Sequence, residues 1–358
     1  MMQLFEWKNI TVKQGASIRE ALTILDHEAL QIVLIVNDQD DLKGSLTDGD
    51  VRRALLRGTT IDSSVTEAMN PNPITGLSFM SETAWKREML AHSIRHLPIV
   101  DQANRIQGLY YDKISVKKIT NPVVLMLGGL GTRLRPLTES VPKPMLHIGN
   151  KPILETIVSH IADQGFVNFY FCINYLGEQI QSHFGDGSEW GINIEYVNEG
   201  ERMGTAGALS LLPEIPKEPF IVMNGDLLTK VDLTALLSFH SEYENDVTAC
   251  VREYSQQVPY GVVDVDHARV TQIVEKPVYS YFVNAGIYAL SAELIHKVPN
   301  GKFYDMPSLL DDVLAEKGKV GGFPITEYWM DIGQIPDYEQ AQEDYELHFK
   351  KNSVMDSN

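Results

Sequence analysis

Residues 123–154 read VVLMLGGLGTRLRPLTESVPKPMLHIGNKPIL, and this stretch carries the strongest evidence about the fold. Its first five residues, 123–127, form a continuous apolar run of the kind expected for a buried strand. The glycines that follow allow a sharp turn and let backbone N–H groups approach an anion; they are Gly128, Gly129 and Gly131. The sequence therefore predicts a buried strand that leads into a phosphate-binding turn.

Two common phosphate-binding motifs do not fit this turn. A P-loop requires GxxxxGK[ST], but Thr132 and Arg133 stand four residues after the first two glycines, with no Lys-Ser/Thr pair. The dinucleotide motif GxGxxG also fails, because Leu134 occupies the position of its third glycine. Fixed positive charge comes from Arg133 and from Lys143, which lies between two prolines that stiffen the backbone. This combination favours a site for a nucleoside triphosphate.

The stretch resembles the signature of the sugar-1-phosphate nucleotidyltransferases, GGxGTRLxPLT followed by KP. That family includes mannose-1-phosphate guanylyltransferases and glucose-1-phosphate thymidylyl- and uridylyltransferases. One departure is Leu127, where relatives usually carry a small residue. Five further segments occur in the family's order: GTAGA at 204–208, NGD at 224–226, EKP at 275–277, NAG at 284–286 and WMDIG at 329–333.

The fold expected for residues 119–345 is α/β. Strand-like runs alternate with helical patterns, as in a domain built on a mainly parallel sheet. Strands are predicted at 169–173, 192–197, 220–223, 247–252 and 262–265, and helices at 153–164, 233–243 and 306–315. The family resemblance implies a Rossmann-like, GT-A type nucleotidyltransferase domain with a mixed, mainly parallel sheet. Active-site groups should then gather at the carboxyl ends of the strands.

The resemblance also implies a role for each motif residue. Asp226 and Asp331 are expected to bind Mg²⁺, Arg133 and Lys143 to clamp the triphosphate and Lys276 to hold the sugar phosphate. The nucleotide-binding set is Gly128, Gly129, Gly131, Thr132, Gly204 and Thr205, and the sugar-binding set is Gly261, Glu275 and Asn284.

The expected reaction joins two anions, so it needs neutralisation of charge more than a protein nucleophile. An NTP and a sugar 1-phosphate would give an NDP-sugar and pyrophosphate, with GTP and a mannose- or glucosamine-type sugar preferred. Thymidylyl, uridylyl and cytidylyl transfer remain alternatives. A glycosyltransferase is a second alternative, but that class usually displays Asp-x-Asp for its metal, whereas Asp226 is followed by two leucines. A non-catalytic nucleotide sensor is a third alternative, and it would be expected to lose the charged site residues that this sequence retains.

Residues 1–118 contain a repeat at a spacing of 64 residues. Ile35-Val36 recurs as Ile99-Val100, Ile10-Thr11 as Ile74-Thr75, and Gly44 as Gly108. Each unit, about 1–63 and 64–118, is predicted as a short strand, a helix and two further strands. This α+β tandem resembles a pair of cystathionine β-synthase (CBS) domains, which bind adenosine nucleotides or serve as dimerisation modules.

The first CBS-like unit ends in GSLTDGDVRR at 44–53. By resemblance, Thr47 and Asp50 would bind the ribose of AMP or ATP. The second unit has Tyr111 and Ile114 at those positions, so at most one competent site is expected.

Composition narrows the class of protein. The chain has 358 residues, 44% of them hydrophobic, and a formal net charge of −18, which disfavours nucleic acid or an anionic membrane as a partner. Cys172 and Cys250 are its only cysteines, and neither a secretory signal nor a run long enough to cross a bilayer is recognised. We therefore expect a cytoplasmic homo-oligomer with a frayed tail at 346–358.

Overall fold

The computed structural model describes residues 2–5, 7–28, 31–92, 94–112 and 118–349. The chain folds as two compact units, Met1–Lys117 and Lys118–Asn358. Ile114 and residues 350–358 of the predicted tail lie outside the described residues. The beginning of that predicted tail belongs to the last helix, which ends at His348.

The N-terminal unit contains two halves that share a strand–helix–strand–strand order. The first half comprises β2 (Thr11–Lys13), α1 (Ile18–Glu28), β3 (Ile32–Val36), β4 (Leu42–Thr47) and α2 (Asp48–Leu56). The second half comprises β5 (Gly76–Leu77), α3 (Glu82–Ala91), β6 (His96–Val100) and β7 (Ile106–Asp112), and β1 (Met2–Phe5) pairs with β7 at the edge.

The strand pairing of the two halves repeats at the 64-residue spacing. In each half a short strand runs parallel to the next one, which is antiparallel to the third. Val12 pairs with Ile35, and 64 residues later Gly76 pairs with Ile99. Each half also has a register shift at the same place, after Ile35 and after Ile99. The repeat seen in the sequence is therefore a structural repeat.

The C-terminal unit is α/β. Its strands are β8 (Val123–Met126), β9 (His147–Ile148), β10 (Lys151–Pro152), β11 (Asn168–Ile173), β12 (Asn193–Asn198), β13 (Phe220–Asn224), β14 (Leu227–Thr229), β15 (Val247–Gln257), β16 (Gly261–Asp266), β17 (Arg269–Glu275), β18 (Val278–Leu290), β19 (Val320–Pro324) and β20 (Trp329–Asp331). Its helices are α4 (Ile153–Asp163), α5 (Gly177–Phe184), α6 (Leu233–Glu242), α7 (Met306–Ala315) and α8 (Ile335–His348).

Seven of these strands form the main sheet, in the order β12-β11-β8-β13-β18-β15-β19. Four of its six strand pairs are parallel and the two pairs that involve β18 are antiparallel. The prediction of a mixed, mainly parallel sheet is confirmed.

The central strand β8 is apolar throughout because both faces of the sheet are covered. Val123 and Leu125 pack into one hydrophobic cluster, and Val124, which points to the other face, packs into a second. This burial on both faces fixes the carboxyl end of β8, where the glycine-rich turn begins.

One part of the unit extends beyond the sheet. The outer halves of β15 and β18 continue as a two-stranded ribbon, from the Arg252–Val283 pair to the Gln257–Val278 pair, and β16 and β17 prolong it as a hairpin. We call residues 252–283 the arm. Nearly all of its residues are exposed or half-exposed.

In the described residues, no helix is long and apolar enough to cross a membrane.

Candidate active site

Two carboxylates that are 105 residues apart in the sequence meet at the carboxyl edge of the sheet. β8 and β13 are neighbouring parallel strands, so the glycine-rich turn and Asp226 emerge side by side. β20 pairs with β14 in a register that places Asp331 opposite Leu227, and the backbone N–H of Ile332 donates to the carbonyl of Asp226. The pairing of these strands therefore brings Asp331 next to Asp226.

Lys143 provides the positive charge beside these carboxylates. Its Nζ donates to Oδ2 of Asp226 at 2.5 Å, and the side chain of Lys143 is only 9% exposed. Lys143 begins a short 3₁₀ turn after Pro142. Gly131 adopts a left-handed conformation (φ 59°), and a Cβ there would press against Thr138 and Lys143. The glycine is thus required for Lys143 to lie this close to the turn.

The electrostatics of the cluster suit a cation. Burial and the neighbouring charge of Asp226 raise the pKa of Asp331, while Lys143 and Arg133 partly oppose that rise. Arg133 lies beside Gly333, the last residue of the WMDIG segment. The cluster therefore contains two carboxylates, one ammonium and one guanidinium group.

Mg²⁺ fits the donors that are present. Oδ1 of Asp226 is buried without a hydrogen-bond partner among the described residues, which leaves one carboxylate oxygen available to a ligand. Among the residues that the structure describes, no group of three or more His, Cys, Asp or Glu side chains is placed to hold a metal. Two carboxylates, completed by phosphate oxygens, are an arrangement that Mg²⁺ accepts.

The unusual Leu127 points into the core. It is 1% exposed and belongs to the same hydrophobic cluster as Leu125. A Cβ on Gly225 would collide with the Leu127 side chain, so the glycine before Asp226 makes room for the leucine. The departure from the family pattern is accommodated inside the domain.

The structure adds Glu199, a residue that the sequence analysis did not single out. It follows β12, two strands from β8, and Nδ2 of Asn174 donates to its carbonyl. Its carboxylate lies against the glycine-rich turn, with Oε1 2.8 Å from where a Cβ on Gly128 would stand. Burial raises the pKa of Glu199. Its position directly after a parallel strand is the sequence signal that could have identified it.

Gly204 and Thr205, predicted to bind nucleotide, contact the start of α7. The backbone N–H of Thr205 donates to Asp305 at 3.1 Å, and its hydroxyl accepts from the backbone of Met306 at 2.9 Å. Gly204 has φ 75°, and a Cβ there would collide with Asp305. In this structure both residues hold a helix in place.

A family model described as nucleotidyl transferase matches residues 122–347, and the cluster above lies within that range. The chain belongs to the nucleotidyl transferase family. A second model, for the CBS domain, matches residues 6–57, the first half of the N-terminal unit.

Relatives of the nucleotidyl transferase domain are enzymes named for sugar phosphates. A mannose-1-phosphate guanylyltransferase of Mycobacterium tuberculosis is 34% identical over 228 residues, which cover 62% of this chain and 63% of that protein. A UTP–glucose-1-phosphate uridylyltransferase of Synechocystis sp. is 32% identical over 238 residues, 61% of each chain. The chain thus spans less than two thirds of the length of these relatives.

Two solved structures of one protein are similar to about two thirds of this chain. HddC from Yersinia pseudotuberculosis is 31% identical, with a TM-score of 0.51 over 63% of this chain and all of that one. A second crystal structure of HddC, complexed with GMP-PN, is 30% identical and has a TM-score of 0.50, again over 63% of this chain and all of that one.

The residues predicted to bind the sugar and its phosphate lie on the arm or at its base, and not in the charged cluster. Glu275 and Lys276 lie on the arm, are exposed and have no side-chain hydrogen bond or ion pair to the cluster among the described residues; Gly261 is also on the arm. Asn284 stands at the base of the arm, where it accepts from the backbone of Gly286, which in turn packs beside Asn224.

In the CBS domain, Thr47 and Asp50 contact each other. Thr47 is the N-cap of α2 and forms a capping box with Asp50: its backbone N–H donates to Oδ2 of Asp50 at 2.9 Å, and its hydroxyl oxygen accepts from the backbone N–H of Asp50 at 3.3 Å. The hydroxyl also donates to Oδ2 of Asp50 at 2.7 Å. Oδ1 of Asp50 pairs with Arg53 at 2.7 Å. Both oxygens of the Asp50 carboxylate are therefore engaged by this helix.

Proposed function

We propose that the C-terminal unit transfers a nucleotidyl group from GTP to a sugar 1-phosphate of mannose or glucosamine type. An oxygen of the sugar phosphate would attack the α-phosphorus of GTP, and the bond to the leaving pyrophosphate would break. The observation that carries the proposal is the convergence of Asp226, Asp331, Lys143 and Arg133 beside the glycine-rich turn. Such a cluster neutralises and orients two phosphate-bearing reactants.

Each charged residue has a task in this proposal. Asp226 and Asp331 would hold Mg²⁺, which when bound neutralises phosphate charge and polarises a phosphoryl oxygen. Lys143, whose Nζ already lies in the cluster, would donate to the transferred α-phosphate. Arg133, exposed at the rim, would pair with the outer phosphates of the triphosphate.

Glu199 supports the preference for guanine. Guanine presents two neighbouring donors, N1–H and the N2 amino group, which match the two oxygens of a carboxylate. Uracil and thymine present a single N–H between two carbonyl oxygens. A carboxylate could accept from that N–H, but its oxygens would repel the carbonyl oxygens on either side. Cytosine and adenine offer one amino donor next to a ring nitrogen that accepts. Guanylyltransferases among the relatives, and the GMP-PN complex of HddC, support the same choice.

The test is pyrophosphate release with Mg²⁺ from GTP, UTP, dTTP, CTP and ATP, each with a panel of hexose and hexosamine 1-phosphates. We expect release with GTP and one sugar class. Glu199→Gln should lower kcat/KM for GTP by about ten- to a hundredfold, the value of one bidentate pair to a base, and leave the low rates with other bases nearly unchanged. Glu201→Gln, an exposed neighbour, is the control.

Two outcomes would contradict the proposal. Release with UTP alone would make the chain a uridylyltransferase, like the Synechocystis relative. An equal loss with every base in Glu199→Gln would mean that Glu199 supports the turn without contacting the base.

For the CBS domain we propose binding of AMP or ATP at Thr47 and Asp50, with dimerisation as the alternative. The nucleotide would have to displace Arg53 from Asp50 or open the capping box. We expect adenine nucleotide to change the rate of the wild type, and that change to disappear in Thr47→Ala/Asp50→Ala. A rate that does not respond in the wild type would favour the dimerisation alternative.

A further inference from the structure

Arg252, the first residue of the arm, is a half-buried cation without an acidic partner. It lies on β15 opposite Val283 of β18, where both strands leave the main sheet. Its Nη1 donates to the backbone carbonyls of Glu327 at 3.4 Å and Trp329 at 3.3 Å, and among the described residues no carboxylate pairs with it. Burial lowers the pKa of the Arg252 guanidinium. Removing a charge from water costs free energy, and the described contacts that offset this cost go to one segment, 327–329.

Trp329 is held by both strands at the base of the arm. The guanidinium carbon of Arg252 lies 5.7 Å from the centroid of the Trp329 ring, within the range of a cation–π interaction. On β18, the carbonyl of Ala285 accepts from Nε1 of Trp329 at 2.9 Å. The backbone of Trp329 pairs with Thr229 on β14. The ring and the backbone of this residue are therefore fixed by three strands.

The orientation of Trp329 affects the metal site because Asp331 follows two residues later. In the described part of the chain, β20 contains only residues 329–331 and pairs only with β14. Alternate residues of a strand project to the same face, so Trp329 and Asp331 share one face of β20. A rotation of this short strand about its axis would therefore move the Trp329 ring and the Asp331 carboxylate together.

Asp331 needs support of this kind because it lies near a like charge. Two carboxylates that share a cation site repel each other until the cation binds. Asp226 and Asp331 are in this situation, and the ammonium group of Lys143 pairs with Asp226. A strand of three residues with one partner strand is a weak frame against such repulsion. The contact between Arg252 and Trp329 adds a second point of support.

We propose that Arg252 is a positioning residue of the metal site. It fixes Trp329, and through β20 it holds the Asp331 carboxylate towards Asp226, so that the two carboxylates bind one cation tightly. Arg252 itself contacts neither the metal nor the substrates. This role rests on the proposed binding of Mg²⁺ by the two aspartates, and it is independent of the base and the sugar.

The first experiment measures metal binding without turnover. Mn²⁺ replaces Mg²⁺, and the electron paramagnetic resonance signal of free Mn²⁺ is recorded while the full chain is titrated in, with no nucleotide present. We expect Arg252→Met to bind Mn²⁺ about ten- to a hundredfold more weakly than the wild type, the usual cost of losing a residue that orients a metal ligand. Arg269→Met, at an exposed arginine further along the arm, is the matched control and should bind like the wild type.

A double-variant cycle tests whether Arg252 acts through Asp331. Asp331→Asn removes one metal-binding charge, so it should weaken Mn²⁺ binding by itself. Adding Arg252→Met to Asp331→Asn should lower the affinity by less than about twofold more, because the side chain that Arg252 positions no longer carries the charge. An equal further loss in that background, or wild-type affinity in Arg252→Met alone, would overturn the proposal. A wild type that binds no Mn²⁺ would overturn the proposed metal site, and this role of Arg252 with it.

Kinetics separate positioning from general support of the fold. In Arg252→Met, the Mg²⁺ concentration that gives half of the maximal rate should rise about tenfold, while the rate at saturating Mg²⁺ stays within about threefold of the wild type. A rate that is lost equally at every Mg²⁺ concentration, together with a lower melting temperature, would mean that Arg252 only supports the fold.

A conservative variant keeps the test decisive. Arg252→Lys retains the charge and a donor for the carbonyls, but it lacks the planar group that lies over the Trp329 ring. Its Mn²⁺ affinity should therefore lie between those of Arg252→Met and the wild type. If Arg252→Met does not fold, Arg252→Lys replaces it, and wild-type affinity in Arg252→Lys would then overturn the proposal.

Discussion

The charged cluster and the arm hold predicted site residues in opposite ways. Asp226, Asp331, Lys143 and Arg133 come from distant parts of the sequence, yet they meet because a sheet buried on both faces fixes the ends of its strands. Glu275 and Lys276 are neighbours in the sequence, but both are exposed on the two-stranded ribbon of the arm, where apolar side chains such as Ile273 are exposed as well. A covered sheet brings functional groups together by itself, whereas the exposed ribbon of the arm leaves Glu275 and Lys276 apart from the cluster.

The largest effect should follow from a change inside the cluster. Asp226→Asn removes a metal-binding charge but keeps the volume of the side chain and an oxygen for Lys143, so we expect turnover to fall about a thousandfold and the melting temperature to change little. Steady-state pyrophosphate release and thermal unfolding measure the two effects. Asp311→Asn, on an exposed position of α7, is the control. A variant within tenfold of the wild-type rate would remove Asp226 from the metal site.

An intermediate effect should follow from crowding the same strand end. Gly225→Ala places a methyl group against Leu127 and should cost about 1–3 kcal/mol in the free energy of unfolding, with a loss of activity because Asp226 is displaced. In a Leu127→Ala background, Gly225→Ala should cost less, because the leucine side chain that it meets is gone. Urea unfolding of the two single variants and the double variant should therefore show a coupling free energy of at least ~1 kcal/mol.

The control for this crowding is Gly129→Ala. Apart from its two chain neighbours, no atom of the described residues lies within 4 Å of where a Cβ at Gly129 would stand, so the stability of this variant should stay close to that of the wild type. Additive costs of Gly225→Ala and Leu127→Ala would mean that the two side chains adapt independently.

The smallest effect should come from the arm. Lys276→Ala removes an exposed charge, so stability should not change. If the arm reaches the sugar phosphate during turnover, KM for the sugar 1-phosphate should rise about tenfold, the value of one charge-assisted hydrogen bond, with KM for the nucleotide unchanged. Lys302→Ala, another exposed lysine, serves as the comparison. Unchanged kinetics would leave the arm without a role in sugar binding.

The sequence predicted the parts of the fold that local pattern and strand order determine. The strand before Gly128, helix α4 and the mixed sheet follow from apolar runs and their alternation, and the motif order named the four charged residues. Glu199 was missed because the sequence does not tell which acidic residue near a strand end faces the turn. Thr205 contacts Asp305, 100 residues away, and no local signal indicates this packing partner.

The exposure of the arm could not be predicted for a similar reason. Val263 and Val265 alternate with Asp264 and Asp266, which is typical of any strand with one covered face, and the pattern does not reveal whether the cover is present. Only the three-dimensional arrangement shows that Val263, Val265 and Ile273 on β16 and β17 are exposed in the described part of the chain.

The register shift shared by the two halves of the N-terminal unit is evidence about how the two halves arose. Strand pairing is imposed by the architecture, but a bulge is an optional irregularity that families preserve. Its presence after Ile35 and again after Ile99, 64 residues later, indicates that one ancestral segment was duplicated with its irregularity included. The copies then diverged in chemistry: Thr47 and Asp50 cap a helix in the first, and Tyr111 replaces the threonine in the second. Shape was inherited, while the polar side chains on it were free to change.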